Sequence, residues 1–120
     1  MDDAGAISEA SAWLGIFRLR PDLLEHDAWT DEERAVVGAH FERLKTEADA
    51  GHVVIAGRTA EHDESGNLDE STIGIVVFLA KERSEAEAFI EADPAVVAGI
   101  MTQTVQRYRI AVLCDKLAFV

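Results

Sequence analysis

Residues 72–80, Thr-Ile-Gly-Ile-Val-Val-Phe-Leu-Ala, are apolar at odd and even positions alike. A strand of this kind buries both of its faces, so it has to lie inside a sheet that is covered on both sides. The rest of the chain must supply that cover.

Ahead of this run, residues 12–20 alternate, with Trp13, Gly15, Phe17 and Leu19 on one face and Leu14, Ile16, Arg18 and Arg20 on the other, until Pro21 stops the strand. Residues 1–11 are small and acidic without a period and are expected to fray. Residues 21–30 hold Asp22, His26, Asp27 and Trp29 and read as an ordered loop. Thr30-Asp-Glu-Glu33 is a capping-box pattern, which opens a helix over residues 31–50 that Gly51 closes. Its buried stripe is expected at Val37, Phe41, Leu44 and Ala48, with Val36 and His40 at the rim of that stripe. Residues 52–59 form a second strand around Val53, Val54 and Ile55.

The acidic, turn-rich segment 61–70 joins this strand to the one at 72–80. Asp63, Glu64, Asp69 and Glu70 lack the spacing of an EF-hand loop, so the segment is read as a solvated hairpin loop without chemistry. Ser84-Glu-Ala-Glu87 repeats the capping-box pattern and starts a second helix with Ala86, Phe89 and Ile90 inward. Asp93 ends that helix, because the proline after it disfavours an α conformation there, and Pro94 is pre-set for the first turn of a short helix that Gly99 closes. A last strand is expected over residues 100–113, with Tyr108, Ile110 and Val112 on one face and Arg107, Arg109 and Ala111 on the other. The domain is thus expected at 12–113, with a tail at 114–120.

The order strand, helix, strand, strand, helix, strand is that of an α+β, ferredoxin-like split βαβ (βαββαβ) fold, a four-stranded antiparallel sheet with two helices on one face. One sheet face is then left open. Two such faces stacked together make a homodimer of the dimeric α/β barrel type, and a tail folding back over the sheet is the competing cover.

With 120 residues, a formal charge of −12 and a pI near 4.6, the chain repels phosphate backbones and anionic lipid, so neither nucleic acid nor a membrane is an expected partner. The N-terminal residues have neither the basic nor the apolar region of a secretory signal, and a cytoplasmic location is expected. Cys114 is the single cysteine, so no internal disulfide forms and no metal site is expected. No phosphate-cradling glycine motif is present, and no cofactor is implied.

His40 and Asp93 belong to the two helices that this fold lays on the same sheet face. A carboxylate that holds an imidazole fixes its tautomer and stabilises the ring once it has taken a proton, which is the unit of general-base catalysis. Arg18 and Arg109, with Tyr108 beside the latter, are the candidate contacts to an anionic substrate. The structural alternatives are an Asp93 that only caps a helix and a His40 satisfied at the core edge. His26, His52 and His62 are weaker candidates.

The runs Ala39-His40-Phe-Glu-Arg-Leu44, Ala50-Gly51-His-Val-Val-Ile-Ala56-Gly57, Ser84 to Phe89, Ala92-Asp93-Pro94, Ala98-Gly99 and Tyr108-Arg109-Ile110, in this order, resemble the YciI-like (YCII-related) family over residues 12–112. The resemblance implies a dimeric α/β barrel with a histidine and aspartate pair as the proposed active site, here His40 and Asp93. It also implies cofactor-independent chemistry on small aromatic or quinone-like metabolites, of the lyase or dechlorinase, isomerase or hydrolase type. The alternative is a non-catalytic dimeric ligand-binding or accessory module. The sequence departs from the family pattern at Ala95, where an aromatic often follows Asp-Pro, and at Arg58, where proline often follows Ala-Gly; both positions are expected to line or border the cavity.

Overall fold

Trp13 is fully buried, and its indole N–H donates to the carbonyl of Ala80 at 3.0 Å, which ties the first strand to the end of the third. The computed structural model describes residues 11–118. Apart from Ser11, the fraying expected at 1–11 falls outside them, as does the end of the 114–120 tail.

The elements are β1 (Ala12–Leu19), two 3₁₀ turns (Pro21–Leu24 and His26–Ala28), α1 (Asp31–Asp49), β2 (Val53–Arg58), β3 (Gly74–Leu79), α2 (Arg83–Glu91), α3 (Pro94–Val97) and β4 (Met101–Arg107). The sheet order is β2-β3-β1-β4, and every neighbouring pair is antiparallel. This α+β arrangement of a four-stranded antiparallel sheet with two main helices has the ferredoxin-like split βαβ topology, with β3 inserted between β1 and β2. Trp13, Gly15 and Phe17 face the helices; Phe17 meets His40 of α1 and Gly15 lies beneath Ile90 of α2. The core gathers Trp13, Phe17, Leu44, Val76, Phe78 and Ile90, and each large apolar side chain there contributes roughly 1.5–3 kcal/mol.

The capping box of α1 forms as expected: Glu33 N donates to Thr30 Oγ1 and Thr30 N to a Glu33 carboxylate oxygen. That N–H and the Arg20 guanidinium hold the Glu33 carboxyl below the usual carboxylate range. The stripe of α1 is rotated from the expected one. His40 and Leu44 are its buried residues, whereas Phe41 is 52% exposed and Ala48 is exposed, because Val37 and Phe41 face a cavity instead of packed core. The second capping box does not form. The helix begins one residue before Ser84, with Glu82 at the N-cap, and the Glu85 carboxylate reaches back to Lys81 N at 3.2 Å.

The last strand is shorter than expected. Its register with β1 ends at Trp13↔Arg107, and Tyr108 N donates to the carbonyl of Ala12, where β1 itself begins. The chain then leaves the sheet, and Ile110 folds onto the face away from the helices, against Ala12 and Val77. That face is therefore covered in part by the chain's own C-terminal segment. Ile16 and Ile75 stay half-buried on it and Ile55 is 60% exposed. No helix among the described residues is long and apolar enough to cross a membrane.

A Cβ at position 15 would lie 2.7 Å from Ile90 Cδ1 and 2.9 Å from Val76 Cγ1, both on buried side chains, so something must shift to admit it. Gly15→Ala is therefore expected to destabilise the fold by about 1–3 kcal/mol, read by denaturant unfolding.

Candidate active site

Asp93 is held by the break between α2 and α3. Its backbone is extended, Pro94 opens the next helix, and Oδ1 accepts from Ala95 N at 2.8 Å, so the carboxylate is the N-cap of α3. The cap points the side chain inward, where it is 0% exposed. There it meets His40, 4% exposed, whose Nδ1 lies 2.8 Å from both Oδ1 and Oδ2.

An ionised carboxylate only accepts hydrogen bonds, so Nδ1 carries the proton and donates it to Asp93. The lone pair of the neutral ring then sits on Nε2. The ring is fixed laterally by Phe17, edge-on with centroids 5.2 Å apart, and by Phe41 at 5.0 Å. A carboxylate this deeply buried needs compensation. Arg43, one turn after His40 on α1, supplies it from 3.8 Å while its guanidinium stacks 4.3 Å from the centre of the Phe89 ring and donates to the Phe89 carbonyl at 2.8 Å. Its Nη1 is buried and makes no hydrogen bond among the described residues, so its charge is directed at Asp93.

His40 opens on a cavity of about 350 Å³, bounded by α1, the helix-facing side of the sheet, the 3₁₀ turns and the loop between β2 and β3. That loop was expected to be solvated and without a role. Instead it is stitched to the 3₁₀ turns, with Leu68 N donating to the Leu24 carbonyl and His26 N to Asn67 Oδ1, both at 2.8 Å, and its Gly66, Leu68 and Thr72 form part of the cavity wall. Phe17, Trp29, Phe41 and Leu44 make much of the lining apolar.

The structure brings His40 and Asp93 together and leaves the other candidate contacts apart. Arg18 is exposed on the opposite sheet face from Phe17. Arg109 and Tyr108 lie beyond the end of β4, and none of the three lines the cavity. The cations on the cavity wall are Arg34 and Arg58. Arg34 was readable in principle, since positions 34, 37, 41 and 44 follow one helix face. Of the two departures from the family pattern, Arg58 lines the cavity, whereas Ala95 is buried in a separate cluster with Leu23 and Ile100. Among the described residues no group of three or more histidine, cysteine, aspartate or glutamate side chains is placed to hold a metal.

A model of the YCII-related domain matches residues 16–108, which is most of the chain, and the chain belongs to that family. No curated protein matches it. Among solved structures it is similar to 5-chloro-2-hydroxyhydroquinone dehydrochlorinase (TftG) from Burkholderia phenoliruptrix AC1100, determined in complex with 2,5-dihydroxybenzoquinone. The TM-score is 0.55 and the identity 23%, over 82% of this chain and 93% of that one. At this identity the likeness is one of fold.

Asn at position 93 can still cap α3, whereas Ala cannot, and Ala also leaves the His40 N–H and the Arg43 charge without an acceptor. Asp93→Ala is therefore expected to be less stable than Asp93→Asn by at least about 1 kcal/mol in denaturant unfolding.

Proposed function

We propose that the protein is a cofactor-independent enzyme that uses His40 as general base and Asp93 as its orienting partner on a small, ring-bearing metabolite. The observation that carries this reading is the contact of Nδ1 with both carboxylate oxygens of Asp93 at 2.8 Å, beside an apolar cavity. Nε2 takes a proton from a carbon or hydroxyl of the bound ring, and Asp93 stabilises the imidazolium that results. In an elimination from a keto tautomer of the ring, whose chlorine-bearing carbon is tetrahedral, the electron pair of the broken C–H or O–H bond forms the new double bond and chloride departs with the electron pair of its own bond. The same base serves an isomerisation by returning the proton to another carbon, or a hydrolysis by activating water. The fold relative is named a dehydrochlorinase and its structure is a complex with 2,5-dihydroxybenzoquinone, which supports starting the tests with hydroxylated and quinone-like rings.

A second reading, a non-catalytic ligand-binding or accessory module, draws on the cap: Asp93 would be required at the start of α3 with or without chemistry. The two readings separate at His40. With a panel of chlorinated hydroxyhydroquinones followed by chloride release, His40→Gln is expected to lower kcat by about 10²–10⁴-fold with the fold intact. Undiminished turnover in that variant removes His40 as the base, and no turnover of any ring substrate by the wild type favours the binding module.

We further propose that the protein works as a homodimer of the α/β barrel type, in which a second copy covers the part of the open sheet face around Ile16, Ile55 and Ile75 that Ile110 leaves bare. Sedimentation velocity is expected to show a dimer that Ile55→Asp converts to monomer. A wild-type monomer would contradict the proposal.

A further inference from the structure

The cavity differs in charge from the protein around it. The chain carries 23 acidic residues against 11 lysines and arginines, yet among the described residues no aspartate or glutamate lines the cavity, whose ionisable wall residues are His26, Arg34, His40 and Arg58. Three of these already face a carboxylate. His26 lies 3.1 Å from Asp27, Arg34 lies 3.6 Å from Asp31, and His40 is held by Asp93. Arg58 has no carboxylate within ion-pair distance among the described residues; its one side-chain hydrogen bond is Nη1 to the Thr59 carbonyl at 2.9 Å.

The sheet sets where that free charge stands relative to the base. Arg58 pairs with Gly74 and Gly74 with Phe17, so the three form one cross-strand row on the helix-facing side. Two strand spacings, about 10 Å, separate the ends of the row. At one end Phe17 supports the His40 ring, at the other stands the Arg58 guanidinium, and between them Gly74 contributes no side chain. A Cβ there would meet Phe17 and the Gly57 carbonyl at 3.5–3.7 Å, ordinary contact distances, so the glycine is not a packing requirement.

Resting on the general-base reading and extending it to the substrate, we propose that the cavity selects a small ring compound bearing a carboxylate. The acid group is bound by the fork of Arg58, the ring lies over Gly74, and the far ring edge meets Nε2 of His40. The planar guanidinium matches a carboxylate through two parallel N–H···O bonds, a geometry that a neutral amide of the same shape does not reproduce.

The test is calorimetric titration of the full chain with benzoate and with the neutral isostere benzamide. Wild type is expected to bind benzoate at least tenfold more tightly than benzamide. Arg58→Gln should remove that preference while benzamide affinity holds, and Gly74→Val, which fills the slot, should weaken both ligands. Arg34→Gln should change the preference less than Arg58→Gln, since Arg34 is already paired. Equal binding of the two ligands by wild type, absence of benzoate binding, or an unchanged preference in Arg58→Gln overturns the proposal. His40→Gln separates this proposal from the catalytic reading. Full turnover in that variant with an intact benzoate preference would remove the general base and leave the anion site supported.

Discussion

One carboxylate, that of Asp93, closes the hydrogen bonding of two elements at once. As the cap of α3 it fixes the geometry of the break after α2, and as the acceptor for His40 Nδ1 it joins that break to the middle of α1. A fully buried charge is expensive unless every lone pair is engaged. Here the α3 amide, the imidazole N–H and the nearby Arg43 meet that requirement together, and none of them would do so alone. The two helices are thus held to each other through a polar contact at the edge of an apolar core.

This contact also governs what the cavity can do. Because Asp93 takes the proton-bearing side of the ring, the basic nitrogen is the one left for the cavity. Phe17 and Phe41 then keep the ring from turning. The apolar wall lowers the local dielectric around that nitrogen, which strengthens any charge contact formed inside. The fold is shared with a protein named a dehydrochlorinase, and the cavity wall of this chain carries its own cations, Arg34 and Arg58.

Much of the fold is legible in the sequence because it depends on local signals. The alternation of residues 12–19, the doubly apolar run at 72–80, the Thr30 capping box and the Asp93-Pro94 break each encode their element without reference to distant residues. What is not legible depends on tertiary placement. The stripe of α1 is drawn toward Phe41 by hydrophobicity, yet part of that face borders the cavity, which lets Phe41 stay exposed and seats His40 in the core. The 61–70 loop has the composition of a solvated hairpin, and its role as a wall arises only from hydrogen bonds to the distant 3₁₀ turns. Alternation in residues 100–113 predicts a long strand, but pairing stops where β1 begins, a limit set by another element. The pair His40 and Asp93 is readable once the topology is known, because each lies at a recognisable place on its helix; of the cavity's cations, Arg34 follows the helix face of Val37 and Phe41, whereas Arg58 is not readable, because Arg18 and Arg109 are equally plausible until the faces of the sheet are assigned.

Asp93 fixes the His40 tautomer so that Nε2 carries the lone pair toward the cavity. Long-range ¹H–¹⁵N correlation spectra of the His40 ring in the neutral state test this directly. The structure predicts a protonated Nδ1 and a bare Nε2; a neutral ring protonated at Nε2 would contradict the account.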